Sequence, residues 1–342
     1  MPNATPPSGA ALLRIQGELG PRARRVLWIL SFLVPIVLWS AVSYVPWIWH
    51  PLIEVTDPGD VAWFKKGMRL ERTGFETANL VSIGRHMKPA TGIAANPVFL
   101  PAPHQVVRAL YSSFATPPRL KEERWLHEEL WHSIQVILWG FLLSSLVGVP
   151  LGVLCGAMPA MARLSEPFVE FFRYLPAPAF GALCVAMMGI NDAPKIAIIF
   201  IGTFFQQVLV IGNTVRRVEP SLVEAAQTLG ARRRELILRV ILPASISDIY
   251  QDQRVLLGWA WTYLIVAELI GTSSGITYFI NLQAKYRQYD NVMAAILIIG
   301  VVGLGSDLVL AWIGRRLFPW RKDAEPLFRR RKSAESVAEV VE

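Results

Sequence analysis

Six stretches of this chain, at approximately 26–48, 133–158, 169–190, 196–215, 255–272 and 291–313, are almost wholly apolar. A bilayer core about 30 Å thick is crossed by roughly 20 apolar helical residues, and each stretch is about that long. Lipid offers no water to an unpaired backbone group, so only helices and closed barrels span it. Runs of this length exclude barrel strands, which need about ten residues each. The chain therefore reads as an all-α membrane protein with about six transmembrane helices. Hydrophobic residues make up 53% of it and charged residues 18%, a balance foreign to an ordinary soluble domain.

The formal charge is +8, from 34 Lys and Arg against 26 Asp and Glu. Basic chains bind nucleic acid or insert in membranes, and the placement of the charge separates the two. With the N-terminus inside, the cytoplasmic pieces hold Arg14, Arg22, Arg24, Arg25, Arg163, Arg216, Arg217, Arg232, Arg233, Arg234, Arg239 and Arg254, followed by eight more after residue 313. The two short external loops hold only Lys195, Lys285 and Arg287. That asymmetry is the positive-inside pattern, with no nucleic-acid partner required, and an even number of spans puts both termini in the cytoplasm. The first apolar run has no small-residue cleavage pattern behind it and reads as an uncleaved anchor.

The expected organisation is a cytoplasmic N-terminus (1–25), a first span (26–48), a long external segment (49–131), a five-helix core (132–314) and a basic cytoplasmic tail (315–342). The external segment is unusual, since helical bundles join neighbouring spans by short loops. Its tryptophans and prolines predict structure of its own, as a small cap or an interfacial helix. All five histidines (His50, His86, His104, His127, His132) lie in or beside it, at spacings that match no metal-ligand pattern. Cys155 and Cys184 sit in apolar runs and read as core filler.

Between spans four and five lies a cytoplasmic loop, 216–250, containing VEPSLVEAAQTLGARRRELILRVILPAS. Pro220 and Ser221 open a helix, Ser221 and Glu224 fit a capping box, and Gly230 suits a left-handed terminus. A second amphipathic stretch, Arg232 to Leu242, sets Leu236, Ile237, Val240 and Ile241 on one face, and Pro243 ends it. By itself such a loop is also what a basic surface helix at the lipid headgroups looks like.

Within this loop Glu224, Ala225, Ala226, Gly230, Leu242 and Pro243 resemble the EAA loop of ABC-importer permeases, with Val240 where Ile is usual. The resemblance runs over roughly 97–320. NPVFLPAPHQVVRALY, FFRYLPAPAF and WAWTYLIVAELIGTSSGI are similar to elements of permeases for nitrate, sulfonates and taurine. Two departures are the insert at about 50–95 and Thr277, where a second glycine is common. The resemblance implies a type I permease fold in a bacterial inner membrane. It also implies a second permease copy, two ATPase subunits gripping the Glu224–Pro243 loop, ATP and Mg held by those subunits, and a periplasmic solute-binding protein. No cofactor is implied for this chain, and no G-x-x-x-x-G-K-[ST] stretch is present to hold one. Neither a nucleophile–base arrangement nor an acid/base pair stands out, so the chain reads as a non-catalytic subunit.

Charged residues inside the membrane are costly and mark cavities or partners. Arg173, Glu268 and Asp307 are such residues, and Gln206, Gln207 and Asn213 add polar groups to span four. Arg173, Gln206, Gln207, Asn213 and Glu268 are candidates for a translocation path for a small anion such as nitrate, a sulfonate, bicarbonate or a carboxylate. The bland reading of the same residues is a hydrogen-bond network that holds the bundle. Pro176 and Pro178 interrupt span three just after Arg173, as in the broken helices of transporters. Gly148, Gly152 and Gly156 make a groove on span two for another helix of this chain or of a second copy. Two other functions fit parts of the pattern: an ion-coupled secondary transporter using Glu268 and Asp307, and a membrane-anchored scaffold working through the external segment.

Overall fold

The computed structural model describes residues 20–45, 47–117, 124–270 and 274–321. Most of the expected cytoplasmic N-terminus, and the tail beyond residue 321, lie outside the described residues. The chain divides into two compact units, one of residues 1–115 with 283–294 and the other of 116–282 with 295–342.

In the first unit, α1 (Pro21–Tyr44) carries exposed Val, Leu, Ile and Phe along its length, as lipid-facing helices do. Near its end Trp39 donates its indole N–H to the Pro101 carbonyl at 3.0 Å and packs beside Val106 and Ala109 of α3 (Pro103–Ala115). The stretch between them is not helical throughout. Strand β1 (Leu52–Asp57) pairs antiparallel with β2 (Arg69–Glu71) on one side and β3 (Thr91–Ala95) on the other, with Leu52 opposite both Glu71 and Ala95. Helix α2 (Arg72–Gly84) closes one face, burying Phe75 against Val55, Val61, Phe64 and Ala90. Phe64 and Phe75 stack at 5.6 Å. Two such short hairpin pairings do not hold alone in water, and the helix supplies the apolar face they need. Asn79 pins α2 to the strand that follows, giving its amide N–H to the Ala90 carbonyl at 2.9 Å and accepting the Ala90 N–H at 2.8 Å.

In the second unit, the sequence runs through α4 (Leu126–Ala157), α5 (Pro159–Arg173), a 3₁₀ turn (Ala177–Phe180), α6 (Gly181–Met188) and α7 (Asp192–Arg216). The elements of the 216–250 loop follow: α8 (Pro220–Thr228), the single turn α9 (Arg233–Glu235) and a π-helical stretch (Leu236–Ile241). Then come α10 (Leu242–Ile270), α11 (Ile276–Lys285) and α12 (Tyr289–Leu317). Among the described residues α1, α4, α7 and α12 are long and apolar enough to cross a membrane, and the α5–α6 pair adds a fifth if it is one span bent by 87°. The bend falls at Pro176, where the proline-interrupted run was expected to break. Helix α10 is long enough too, but Asp248, Asp252, Arg254 and Glu268 lower its hydropathy.

The bundle's core is the seam between α4 and α7. Gly148, Gly152 and Gly156, joined by Gly140, face Gln207, Ile211, Val215 and Ile199 of α7. A β-carbon at Gly152 would stand 2.9 Å from Ile211 Cβ and 3.0 Å from the Val208 carbonyl, so the backbones meet only because glycine is there. The glycine groove thus holds a helix of the same chain.

Candidate functional site

The residues that resemble an EAA loop are presented by a short exposed helix. No residue of α8 is buried; Glu224 and Ala225 face outward, Ala226 is half-buried, and Leu229, just past the helix end, is 89% exposed. Gly230 stands at φ +83°, where only glycine is unstrained. Two bonds turn the chain there: Gly230 N–H to the Gln227 carbonyl at 2.9 Å, and Ala231 N–H to the Ala226 carbonyl at 3.0 Å. This is the paired closure of a Schellman ending.

Two local expectations need correction. Ser221 does not cap the helix with Glu224: Glu219 is the N-cap, Pro220 takes the first helical place, and the Ser221 hydroxyl donates to Glu219 Oε1 at 2.7 Å. The reciprocal bond appears at the start of α9, where Glu235 accepts the Arg232 N–H at 2.9 Å. Nor does Pro243 end the second helix. It lies at the second position of α10, and the Leu242 N–H reaches back five residues to the Ile237 carbonyl. Proline lacks a donor and crowds the carbonyl four residues before it, which disfavours a regular α turn there; the widened π turn over Leu236–Ile241 absorbs the misfit and lets the helix run on.

That continuation ties the exposed helix to the bundle. Ile241 is buried with Val153 of α4, Ile211 and Val215 of α7 and Ile249 of α10, while Val223 of α8, Ile237 and Leu242 pack on this cluster. Val240 is half-buried, and Pro243 is exposed. Helix α8 is therefore in apolar contact with the ends of three long helices.

The candidate path residues fall into two groups. Gln207 is 0% exposed and sits in a polar knot between α4, α7 and α10. Its Oε1 accepts from Ser144 at 2.6 Å, while its Nε2 donates to Ser145 Oγ at 2.9 Å and Gln253 Oε1 at 3.1 Å. Glu268 is likewise 0% exposed, and takes the Ser133 hydroxyl at 2.5 Å and the Thr277 N–H at 2.9 Å. Gln206 is half-buried, and Asn213 is exposed and accepts from Arg216 at 3.0 Å. Arg173 is exposed, with its guanidinium 5.0 Å from the Tyr174 ring and 3.2 Å from that hydroxyl. Phe172 stacks on Phe205 at 5.3 Å, so Arg173 and Gln206 each follow one member of that ring pair.

Sequence reading alone missed the partners: Ser133, Ser144, Ser145 and Gln253, the Thr214–Asp252 bond at 2.5 Å, and the pairing of Arg216 with Glu166. Asp307 is also paired, its two oxygens receiving Arg254 at 3.1 and 3.0 Å. The only cue in sequence is a lone polar residue inside an apolar run, which says that a partner exists without saying which.

The family model described as the binding-protein-dependent transport system inner membrane component matches residues 148–320, which includes the exposed loop and, of the polar knot, Gln207 and Gln253. The chain is 35% identical to an ABC transporter permease protein of Methanocaldococcus jannaschii, over 66% of this chain and 84% of that one. It is 30% identical to the taurine transport system permease protein of Escherichia coli, over 67% and 83%. With an aliphatic sulfonates transport permease protein of Bacillus subtilis it shares 33% identity, over 58% and 74%.

Proposed function

Since this chain belongs to the family of inner-membrane components of binding-protein-dependent transport systems, and is thus a non-catalytic, membrane-spanning permease subunit, we propose that it carries a small sulfonate-like anion driven by ATP hydrolysed elsewhere. Two copies of the chain pair in the bilayer, two ATPase subunits holding ATP and Mg dock on the Glu224–Pro243 loop, and a periplasmic protein delivers the solute. Both termini lie in the cytoplasm. The solute class rests on the similarity to permeases for taurine and aliphatic sulfonates. Arg173, Gln206, Gln207 and Asn213 are the path residues in this reading, with the exposed guanidinium of Arg173 offering the positive charge.

One observation carries the coupling role: an exposed helix with no buried residue, closed at Gly230 and continuous through the π turn with a helix packed on α4 and α7. A purely structural loop has no need of so much exposed apolar surface as Leu222 and Leu229 present. The test uses the permease with its cognate ATPase and binding protein in proteoliposomes, following uptake of radiolabelled taurine and ethanesulfonate. Glu224→Arg and Gly230→Val should each reduce ATP-dependent uptake at least about tenfold while the permease stays folded in the membrane, since Gly230→Val forces about 1–2 kcal/mol of left-handed strain on the docking turn. Normal uptake in both variants rejects the coupling role, and ATP-driven uptake of neither sulfonate rejects the solute class.

A further inference from the structure

The three helices that meet the coupling cluster meet again at their other ends. Helix α7 runs from Asp192 to Arg216, 25 residues or about 37 Å. Its last turn lies by the α8 loop, α10 begins there, and α4 finishes there. The opposite ends, the starts of α4 and α7 and the finish of α10, converge on the short segment 274–277 that leads into α11.

The convergence is dense in buried polar groups. Three successive backbone N–H groups are each received by a different side chain: Gly275 by Glu129, Ile276 by Ser133 Oγ at 2.8 Å, and Thr277 by Glu268 at 2.9 Å. Glu129, Ser133, Glu268, Ile276 and Thr277 are all buried. From α7, Lys195, at 1% exposure, reaches the Ser274 carbonyl at 3.2 Å and its hydroxyl at 3.1 Å, and is neutralised by Asp192 at 3.0 Å. This lysine, expected in a short external loop, is instead a buried tie. His132 Nε2 lies 2.9 Å from Asp192 and 3.5 Å from Ser274 Oγ. One ring nitrogen faces both groups and Nδ1 has no partner among the described residues, an arrangement unlike a Ser–His–Asp relay, which uses both ring nitrogens. Gly275, at φ +109°, lies where a side chain would collide with the Glu268 carboxylate.

Buried charges are a poor source of net stability compared with apolar packing of the same volume. What they supply is discrete, breakable geometry: a clasp with few intermediate states, because each half-broken form leaves a buried group unpaired. We propose that Glu129, Ser133, Lys195 and Glu268 are positioning residues for transport, forming a latch on segment 274–277 that releases when the far ends of α4, α7 and α10 are moved by the coupling loop. This rests on the ATP-driven permease reading. It assigns Glu268 to the latch and not to contact with solute.

The test follows the latch in the assembled transporter at rest and during turnover with ATP, binding protein and taurine. Ile276→Cys, in a Cys155→Ala and Cys184→Ala background, should resist a membrane-impermeant maleimide at rest and react about tenfold faster or more during turnover. In the wild-type complex, amide exchange at Gly275, Ile276 and Thr277 should accelerate in parallel, a reading that needs no cysteine. Glu268→Gln with Ser133→Ala should raise exchange at rest toward the turnover rate, with α4 and α7 elsewhere unchanged. Equal labelling and exchange in the two states, with taurine uptake still ATP-dependent, overturn the latch alone. Uptake indifferent to ATP in the same sample overturns the latch and the permease coupling together.

Discussion

At the residue scale, much of this protein turns on where a side chain is missing. Gly152 marks the closest approach of α4 to α7, with the Val208 carbonyl and Ile211 already at contact distance from a virtual β-carbon. Gly152→Val should therefore cost about 1–3 kcal/mol by overpacking, seen as a lower unfolding temperature of the purified protein in detergent. Gly300→Ala is the control: no described residue stands within 4 Å of a β-carbon there, and α12 should hold or gain up to about 1 kcal/mol. A wild-type melting temperature for Gly152→Val would mean that the two helices do not meet as described. The same logic separates Gly230, which has open space around it and is needed for its left-handed backbone, from Gly152, which has ordinary helical backbone and is needed for its size.

At the element scale, segment 52–95 folds as a unit of strand, strand, helix, strand, and its few buried side chains make its polar ties consequential. Asp57 accepts from Lys88 Nζ at 2.8 Å and from the Gly59 N–H at 3.1 Å. The Lys88 hydrogen bond, then the Gly59 N–H, hold the Asp57 carboxyl below the ordinary range, and the Asp57 bond raises Lys88 in turn. The Asp57 contribution is thus present above the ordinary Asp value of about 3.9 and is lost as pH falls through its lowered value; that of Lys88 is present below about 10.4 and lost as pH rises through its raised value. Both groups are solvated, so the effect is small. Amide exchange at Asp60 and Lys88 should be flat between about pH 5 and 9, after correction for intrinsic rates, and rise below about pH 4. In Asp57→Asn that acid-side rise should shrink; an unchanged acid limb would assign it to other carboxylates.

At the scale of the whole molecule, the second unit is a bundle tied by side chains near both ends of α7, by the Ile241 cluster at one and the Lys195–Ser274 bonds at the other, with the π turn between loop and bundle. Pro243→Ala removes the reason for the widened turn, allowing Leu236–Ile241 to rewind with an α register and rotate α8 relative to α4 and α7. ATPase subunits should still bind this variant, while taurine uptake per ATP hydrolysed falls severalfold. A coupling ratio equal to wild type would show that the turn carries no register information.

Membrane class and the exposed loop with its Gly230 turn are legible from the chain, because hydropathy and a φ-restricted glycine are local properties; the run 169–190, by contrast, divides between α5 and α6. The break near Pro176 was legible for the same reason. Pro243 does not stop the helix because a proline's penalty depends on the register of the turn before it, and the π turn over Leu236–Ile241, packed through Ile237, Ile241 and Leu242, accommodates the ring. The fate of Gln207, Lys195, Glu268 and Asp307 was beyond reach too. Each was recognisable as a polar residue in apolar company, but Ser144, Ser274, Ser133 and Arg254 lie far from them in sequence. Burial makes a partner obligatory; three-dimensional proximity alone names it.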